Sequence, residues 1–322
     1  MCHKSRRAVS GMVRRDVLCA ADRSSEFILS RSFAFAAIAV CALIWGTTWF
    51  AITLQLGPID PVVSIVWRFG LAALVLFGFC AVTKRPLRLN RAQHLAALGQ
   101  GVCAFAVSYG FVYAAEEQVT SAVVAVIFAG LAFVNLILFR VLGGVRASLA
   151  AWLGAALGVI GVGVLSAGQL SAVDAGLDPE RGVLFAVVAV LASAFGNWFA
   201  WRGQRAGAPV MGGTAWAMAY GAAMLAVYGV VTGVTWRIEP TPAYVLSLLY
   251  LSLFGSVIAF GLYFSLARSR GYALASYISA LTPPIAILVS VLFENARFGW
   301  SALAGLGLVL AGQVLLIRAP RA

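Results

Sequence analysis

The sequence has few charged residues. They make up 11% of its 322 residues, and the only lysines are Lys4 and Lys84. Soluble globular chains carry about 25% charged residues. The length alone would suggest two soluble domains, and the scarcity of charge excludes them.

Residue types that build catalytic and metal centres are also scarce. The only histidines are His3 and His94, and the five cysteines are scattered without the spacing of a metal site or a disulfide framework. The sequence contains no HExxH, GxSxG or P-loop motif. We therefore expect a protein that is not an enzyme and that has neither a metal site nor a cofactor.

Apolar residues, in contrast, are abundant at 62%, and the mean hydropathy is +0.96. A helix needs about 20 apolar residues to cross a bilayer. Glycine and proline separate the chain into ten runs of that kind. The runs are 34–56, 62–82, 94–115, 119–139, 148–167, 181–201, 211–234, 243–267, 272–293 and 299–317. The sequence thus predicts an all-α polytopic membrane protein with ten transmembrane helices.

The net charge of +12 indicates how this protein is oriented in the membrane. With ten spans, all but four of the 23 basic residues fall on the side of the N-terminus; the exceptions are Arg68, Arg181, Arg237 and Arg297. Basic residues concentrate in cytoplasmic loops. We therefore predict an inner-membrane protein with both termini in the cytoplasm, and we expect no nucleic-acid partner because the charge does not lie on a soluble basic face.

Residues 1–33 are polar and rich in arginine. They lack the apolar stretch of 7–15 residues that a secretory signal needs. We expect a disordered cytoplasmic tail, and a start codon assigned too early, with Met12 or a later residue as the true start, is the alternative.

The chain contains a weak internal repeat. Residues 121–139 align without a gap with residues 275–293, and Gly154 and Gly161 match Gly305 and Gly312 in the following helices. We predict a first five-helix repeat at 34–167, a connecting loop at 168–180 and a second repeat at 181–318. Because five is odd, the second repeat enters the membrane inverted. Inverted repeats are typical of secondary transporters, which hold the substrate near the middle of the bilayer.

Several short motifs recur in a characteristic order along the chain. They are Trp45-Gly46-Thr47-Thr48-Trp49-Phe50, Arg68-Phe69, Ala115-Glu116 with Ser121, Ser193-Ala194-Phe195-Gly196, Phe254-Gly255-Ser256 and Leu281-Thr282-Pro283. On these motifs, residues 34–317 resemble the EamA-type exporters of the ten-helix drug/metabolite transporter superfamily. The resemblance implies export of amino acids or related metabolites, driven by the proton gradient. The first repeat has Ala129-Gly130 where the second has Pro283-Pro284. Because the first repeat lacks the prolines, the presence of the kink expected in the fourth helix is left open.

Arg68 and Glu116 are the candidates for gating or coupling. Arg68 lies about 9 Å inside the predicted second helix, at 1.5 Å per residue. A charge at that depth is costly and marks a functional site by default. Glu116 ends the third helix on the same side, and the resemblance favours it over Glu117. We hypothesise that Arg68 and Glu116 form an outer gate or a proton-linked pair. A snorkelling arginine and a solvated helix end are the alternatives.

The substrate site is expected where aromatic and polar side chains lie deep in the spans. Trp45 and Trp49 are four residues apart and share one helix face. The candidates for substrate binding are Trp45, Thr48, Trp49, Tyr109, Tyr113, Asn197, Tyr263, Tyr277 and Pro283. Core packing is the alternative role for the aromatic residues. Interhelical hydrogen bonding is the alternative for Asn197. It is also the expected role of the other deep amides, namely those of Asn135, Gln100 and Gln313.

Together these features favour a secondary transporter that exports amino acids or related small metabolites by alternating access. Its partners would be the solute, the lipid bilayer and protons. A passive facilitator of the same fold and a non-transporting membrane protein, such as a sensor or an assembly subunit, remain alternatives. The sequence leaves the solute, the direction of transport and the oligomeric state open.

Overall fold

The computed structural model describes residues 31–144, 148–170 and 178–318, and every regular element in these ranges is helical. The predicted tail, apart from the residues that begin the first helix, and positions 171–177 of the predicted connecting loop lie outside them. The helices are α1 (Arg31–Thr53), α2 (Pro61–Val82), α3 (Arg91–Gln100, Gly101–Val107 and Ser108–Glu116), α4 (Ser121–Ala129 and Leu131–Gly143) and α5 (Leu149–Leu170). They continue with α6 (Pro179–Arg205), α7 (Val210–Val231), α8 (Pro242–Tyr250, Leu251–Ile258 and Ala259–Arg270), α9 (Tyr272–Phe293) and α10 (Trp300–Arg318).

Local sequence signals explain where several helices begin. The carboxylate of Asp60 accepts a hydrogen bond from the backbone N–H of Val62 at 2.8 Å, and Asn90 and Gln93 form a reciprocal capping box at the start of α3. These side chains satisfy backbone donors that the first turn leaves free. Gly271, at φ +87°, is the one residue between α8 and α9. Such a turn favours glycine because a Cβ is strained there.

The helices have the composition of membrane spans. Within the described ranges, seven are long and apolar enough to cross a membrane, namely α1, α2, α3, α4, α6, α7 and α8. Three shorter apolar stretches lie in α5, α9 and α10, at Leu149–Leu165, Leu281–Phe293 and Trp300–Leu315. Large apolar side chains such as Leu74 and Val82 are exposed on the outside of the bundle. The protein is therefore an all-α polytopic membrane protein.

Two helices contain a wide, π-helical stretch near their middle. It covers Gly101–Val107 in α3 and Leu251–Ile258 in α8. Stretches of this kind are frequent at functional sites. In α8 the wide turn places the hydroxyl of Ser256 on the carbonyl oxygen of Leu251 at 2.9 Å.

The helix α4 is interrupted at Gly130, the position that aligns with Pro284. The helical pattern stops at Ala129 and resumes at Leu131, and the amide of Gln313 in α10 donates to the carbonyl oxygen of Ala129 at 2.7 Å. In contrast, α9 runs as a single helix through both prolines. The two aligned positions thus have different local structure.

The glycines of α5 and α10 let the two backbones approach closely. A Cβ built on Gly161 would lie 2.7 Å from the carbonyl oxygen of Gly305, and one built on Gly312 would lie 2.5 Å from that of Gly154. At these positions the two helix backbones are in contact. A Cβ on Gly163 or Gly307 would instead meet nothing within 4 Å.

Candidate functional site

A cavity of about 90 Å³ lies among α1, α2, α3, α4, α6, α8 and α9. Both halves of the chain contribute to its wall. We call it the central cavity. Its lining is mainly apolar and aromatic with a few polar groups, which is the usual composition of a small-molecule site.

Aromatic rings form one side of the central cavity. The ring of Trp45 packs against Phe260 at 5.1 Å and Tyr263 at 5.4 Å between centroids, and its Nε1–H donates to the carbonyl oxygen of Gly255 at 3.1 Å. The ring of Trp49 packs against Phe128 at 4.9 Å. Its Nε1 is buried without a hydrogen-bond partner, so this indole N–H is free to bind a solute.

Among the described residues that line this cavity, Arg68 is the only one with a positively charged side chain, and it is 1% exposed. Its guanidinium carbon lies 4.5 Å from the centroid of the Tyr109 ring, and its Nε donates to the hydroxyl of Ser256 at 3.2 Å. Gly255 permits this approach, because a Cβ there would lie 2.9 Å from a methyl group of Thr48 and 3.4 Å from the guanidinium of Arg68. The Nη1 nitrogen is buried without a partner.

Glu116 is buried at the end of α3, and neither of its carboxyl oxygens has a hydrogen-bond partner. Glu116 and Arg68 are therefore not hydrogen bonded in this structure, and their role as an outer gate or a proton-linked pair stays a prediction. The charges that act on Glu116 are those of Glu294 and Arg68. The carboxylate of Glu294 is itself occupied, since it accepts from the hydroxyl of Ser121 at 2.6 Å.

Glu117 follows Glu116 but has different surroundings. It is exposed, just beyond the end of α3. Partial burial raises the pKa of its carboxyl, the carboxylate of Asp60 raises it further, and the guanidinium of Arg181 opposes both. The two neighbouring glutamates are thus separated by environment: Glu116 lies inside the protein and Glu117 lies at its surface.

Hydrogen-bonded polar groups line the part of the cavity formed by α6. The amide of Asn197 donates to Asn135 in α4 at 3.4 Å. The hydroxyls of Ser193 and Ser108 are 2.7 Å apart, and Ser108 donates to the carbonyl oxygen of Ala189. These contacts connect α6 to α3 and α4.

Interhelical hydrogen bonds were also predicted for other deep amides. They are present for Asn135 and Gln313. For Gln100 the predicted hydrogen bond from the amide nitrogen is absent, because its Nε2 is buried without a partner.

The structure brings most of the predicted site residues to the central cavity. Those that line it are Trp45, Thr48, Trp49, Arg68, Tyr109, Asn197 and Tyr263. Tyr113 instead donates its hydroxyl hydrogen to Gln55 Oε1 at 2.6 Å, and neither Glu116 nor Pro283 belongs to the lining. Tyr277 belongs to α9, but its side chain lies outside the described part of the structure.

Several residues that line the cavity were not selected from the sequence. They are Phe128, Ser193, Phe260, Phe264, Ser279 and Thr282. Ser193 and Thr282 lie in the short motifs quoted above, and that signal could have identified them. The phenylalanines carry no comparable signal, because the sequence has 20 of them.

Two unpaired polar atoms belong to residues that line the cavity, and three more lie just beyond the end of α1 and at the end of α3. Three are donors, on Arg68 Nη1, Trp49 Nε1 and Gln55 Nε2, and the two oxygens of Glu116 are acceptors. Buried polar groups are normally hydrogen bonded. Free donors and acceptors beside a cavity therefore indicate a polar ligand that completes them.

This polytopic helical membrane protein has a cavity between its two halves, and unpaired polar atoms lie in the cavity wall. These are features of a solute transporter. The comparisons with known proteins identify the family. The model of the EamA-like transporter family matches residues 32–167 and 180–318, and the chain belongs to this family.

The chain is also similar to individual proteins. It is 29% identical over 286 residues to YedA of Escherichia coli K12, an uncharacterised inner membrane transporter, covering 88% of this chain and 90% of the relative. YedA from strain O157:H7 gives the same values. A solved crystal structure matches with a TM-score of 0.66 at 18% identity, covering 89% of this chain and 96% of that chain. The family match shows that the protein is a transporter of the EamA type.

Proposed function

We propose that this protein is a secondary transporter of the inner membrane that exports amino acids or related small metabolites by alternating access. All ten helices span the membrane in this proposal, as two inverted five-helix repeats with both termini in the cytoplasm. The central cavity is the observation that supports this proposal. Helices of both halves enclose it, Arg68 and Trp49 provide unpaired donors in its wall, and the unpaired carboxylate of Glu116 lies at the end of α3.

Helix packing supports the inverted repeats. The larger contacts remain matched when each helix is replaced by the helix five places further along the chain. Thus α1 packs on α9 and α6 packs on α4, and α3 packs on α7 and α8 packs on α2. The pairs α2–α7, α4–α9 and α5–α10 map onto themselves. The π-helical stretches also fall in the third helix of each half, α3 and α8. Two copies of one unit related by a two-fold axis in the membrane plane would produce this pattern.

The free polar groups favour a solute that carries both charges. Arg68 Nη1 and Trp49 Nε1 can donate to a carboxylate, and arginine binds carboxylates through directional, charge-assisted hydrogen bonds. Glu116 provides the acceptor that an ammonium group requires, and aromatic rings attract cations. A zwitterionic amino acid has both groups.

The same carboxylate supports proton coupling in this proposal. Glu116 is buried and its oxygens have no hydrogen-bond donor, so either a proton or the ammonium group of the solute can neutralise its charge. Solute ammonium and proton would compete for Glu116. Binding of one releases the other, which is the requirement for exchange of solute against protons.

The experiment is uptake driven by a pH gradient in proteoliposomes that contain the purified full-length protein. Radiolabelled amino acids are tested one at a time with an outward or an inward pH gradient. At least one of them should accumulate against its own concentration gradient. A protonophore should abolish this accumulation. Flux that persists down the solute gradient with the protonophore present, and never runs uphill, identifies a passive facilitator. No flux for any amino acid, together with no ligand-dependent rise in melting temperature, would show a non-transporting protein and overturn the proposal.

A further inference from the structure

The two ends of the helix bundle differ in charge. Where α3 begins and α4 and α6 end, the described loops and helix termini contain arginine and lysine and no aspartate or glutamate. The acidic residues of the described ranges all lie toward the opposite end, where α3 ends. We call the first of these the basic end. Its cations therefore have no carboxylate partner among the described residues.

Two arginines of the basic end lie over tryptophan rings. The guanidinium carbon of Arg202 is 4.9 Å from the ring centroid of Trp198, and that of Arg205 is 4.8 Å from the ring centroid of Trp201. Spacings of three and four residues place all four side chains on one face of α6. The rings attract the guanidinium groups through cation–π interactions. Both arginines are exposed, and neither forms a hydrogen bond or an ion pair with another described residue.

A third arginine belongs to the neighbouring helix α4. The ring of Phe139, near the end of α4, packs edge-on against Trp201 at 5.6 Å between centroids. The next residue, Arg140, is exposed. We call Arg140, Arg202 and Arg205 the arginine corner. Arginine binds phosphate groups through charge-assisted hydrogen bonds, and its planar guanidinium can donate two of them at once.

An apolar stripe runs along α6 from the arginine corner. Leu191 and Phe195 are exposed, and they precede Trp198 and Arg202 at intervals of three and four residues on the same helix face. From Arg202 to Leu191 the helix rises about 17 Å, at 1.5 Å per residue. One leaflet is half of the bilayer core, which is about 30 Å thick. The stripe is therefore about as long as one leaflet is deep, and tryptophans, which favour the membrane interface, lie at its charged end.

We propose that the arginine corner binds the headgroup of an anionic phospholipid, with an acyl chain of that lipid along the apolar stripe of α6. Charge complementarity favours this occupant, because one exposed arginine binds an anion weakly whereas a basic cluster beside membrane helices attracts anionic headgroups. A second copy of the chain is a poorer occupant. A symmetric contact through this face would bring arginine against arginine. The site lies outside the central cavity and does not depend on the transported solute.

The test is native mass spectrometry of the purified full-length protein in a mild detergent, titrated with phosphatidylglycerol. The parent should bind phosphatidylglycerol about tenfold more tightly than phosphatidylcholine, which has no net charge. Arg202→Gln combined with Arg205→Gln should raise the Kd for phosphatidylglycerol about tenfold or more, the effect of losing hydrogen bonds to a charged group. Arg140→Gln, on the other helix, should act in the same direction and supplies the readout if the α6 variant does not fold.

Arg88→Gln combined with Arg91→Gln is the matched control. Both residues are exposed at the basic end, so this variant loses the same charge from outside the arginine corner. It should keep the Kd of the parent. An equal loss in the two double variants would show a general attraction to the basic end and would overturn the site, as would an unchanged Kd in the arginine-corner variant.

The same spectra distinguish the other occupants. Inorganic phosphate that displaces phosphatidylglycerol at similar concentrations would show a site for free anions and would contradict the lipid. A dimer that the arginine-corner variant abolishes would show a second copy on this face and would contradict it too. None of these readouts requires transport, so failure of the proposed transport function leaves the lipid site unaffected.

Discussion

At the scale of single residues, burial gives ordinary side chains special roles in this protein. Arg68 is enclosed by Tyr109, Ser256 and Gly255, and it retains one free nitrogen beside the central cavity. An exposed arginine would keep its charge in water and bind weakly. A buried one gives a strong, directional hydrogen bond because no solvent competes for it.

The shape of the guanidinium should therefore matter as well as its charge. Arg68→Lys retains the positive charge but loses the planar fork and the stacking on Tyr109. We expect the KM for the transported amino acid to rise about tenfold, the effect of one lost charge-assisted hydrogen bond. Arg237→Lys, an exposed position, is the control for the same exchange and should leave the KM unchanged. An unaltered KM in Arg68→Lys would remove Arg68 from the binding site.

The two adjacent glutamates allow a matched test of coupling. Glu116→Gln keeps the shape of the side chain and removes its titration. We expect transport that no longer responds to a pH gradient, whereas Glu117→Gln should respond as the parent does because Glu117 lies at the surface. The measurement is amino-acid uptake with and without an imposed pH gradient. If Glu116→Gln stays pH-dependent, the coupling role of Glu116 is wrong.

Glu117 itself should influence stability with pH. Its pKa is raised in the folded protein, so the folded state binds the proton more tightly than the unfolded state does. Glu117 therefore stabilises the fold at pH values below its ordinary pKa, and that contribution is lost as the pH rises through the raised pKa. Glu117→Gln should raise the melting temperature relative to the parent at neutral pH more than at acid pH, measured in detergent. A difference that does not depend on pH would contradict this account.

At the scale of helices, close backbone contact organises the bundle. In α5 and α10 the glycines that meet, Gly161 and Gly305, leave no space for a side chain, whereas Gly163 faces open space. Sequence spacing does not separate these glycines, since all of them lie in apolar helices. Only the direction in which each Cα faces determines which glycine is required.

Gly161→Ala and Gly163→Ala should consequently differ in their effect on the stability of the fold. At Gly161 the methyl group would lie 2.7 Å from a backbone oxygen, and overpacking of that kind costs about 1–3 kcal/mol. At Gly163 alanine should be neutral or stabilising, because it favours the helix. Thermal unfolding of the two variants in one detergent gives the comparison. Equal melting temperatures would show that α5 and α10 do not pack as described.

At the scale of the whole molecule, α4 and α9 connect the two halves. The hydroxyl of Ser121 at the start of α4 donates to Glu294, just after α9. Both elements also line the central cavity. A contact between the halves at one end of the cavity has to open in an alternating-access cycle.

A covalent link at this point should therefore stop transport. Ser121→Cys with Glu294→Cys, treated with a short thiol-specific cross-linker, should lose solute uptake, and a cleavable cross-linker should restore it on reduction. Each single cysteine variant, treated in the same way, is the control. Undiminished uptake in a fully cross-linked sample would show that this end of the cavity stays closed throughout the cycle.

The membrane character, the helix positions and the importance of buried charge were predictable from local chemistry. Apolar runs and punctuating residues, such as Gly271, act over a few neighbours along the chain, and a buried arginine is costly wherever it lies. The wide turns of α3 and α8 were not predicted. Neither was the interruption at Gly130, where Gln313 of the distant α10 donates to the carbonyl oxygen of Ala129.

Composition and hydropathy were enough to identify an all-α membrane protein, and the motifs indicated the transporter family. Three features became visible only in the packed helices. These are the side chains that share the central cavity, the absence of a hydrogen bond between Glu116 and Arg68, and the glycines that close packing requires. The physical reason is that a cavity, an unpaired donor and a close backbone contact are defined by residues far apart along the chain, and packing alone brings these residues together.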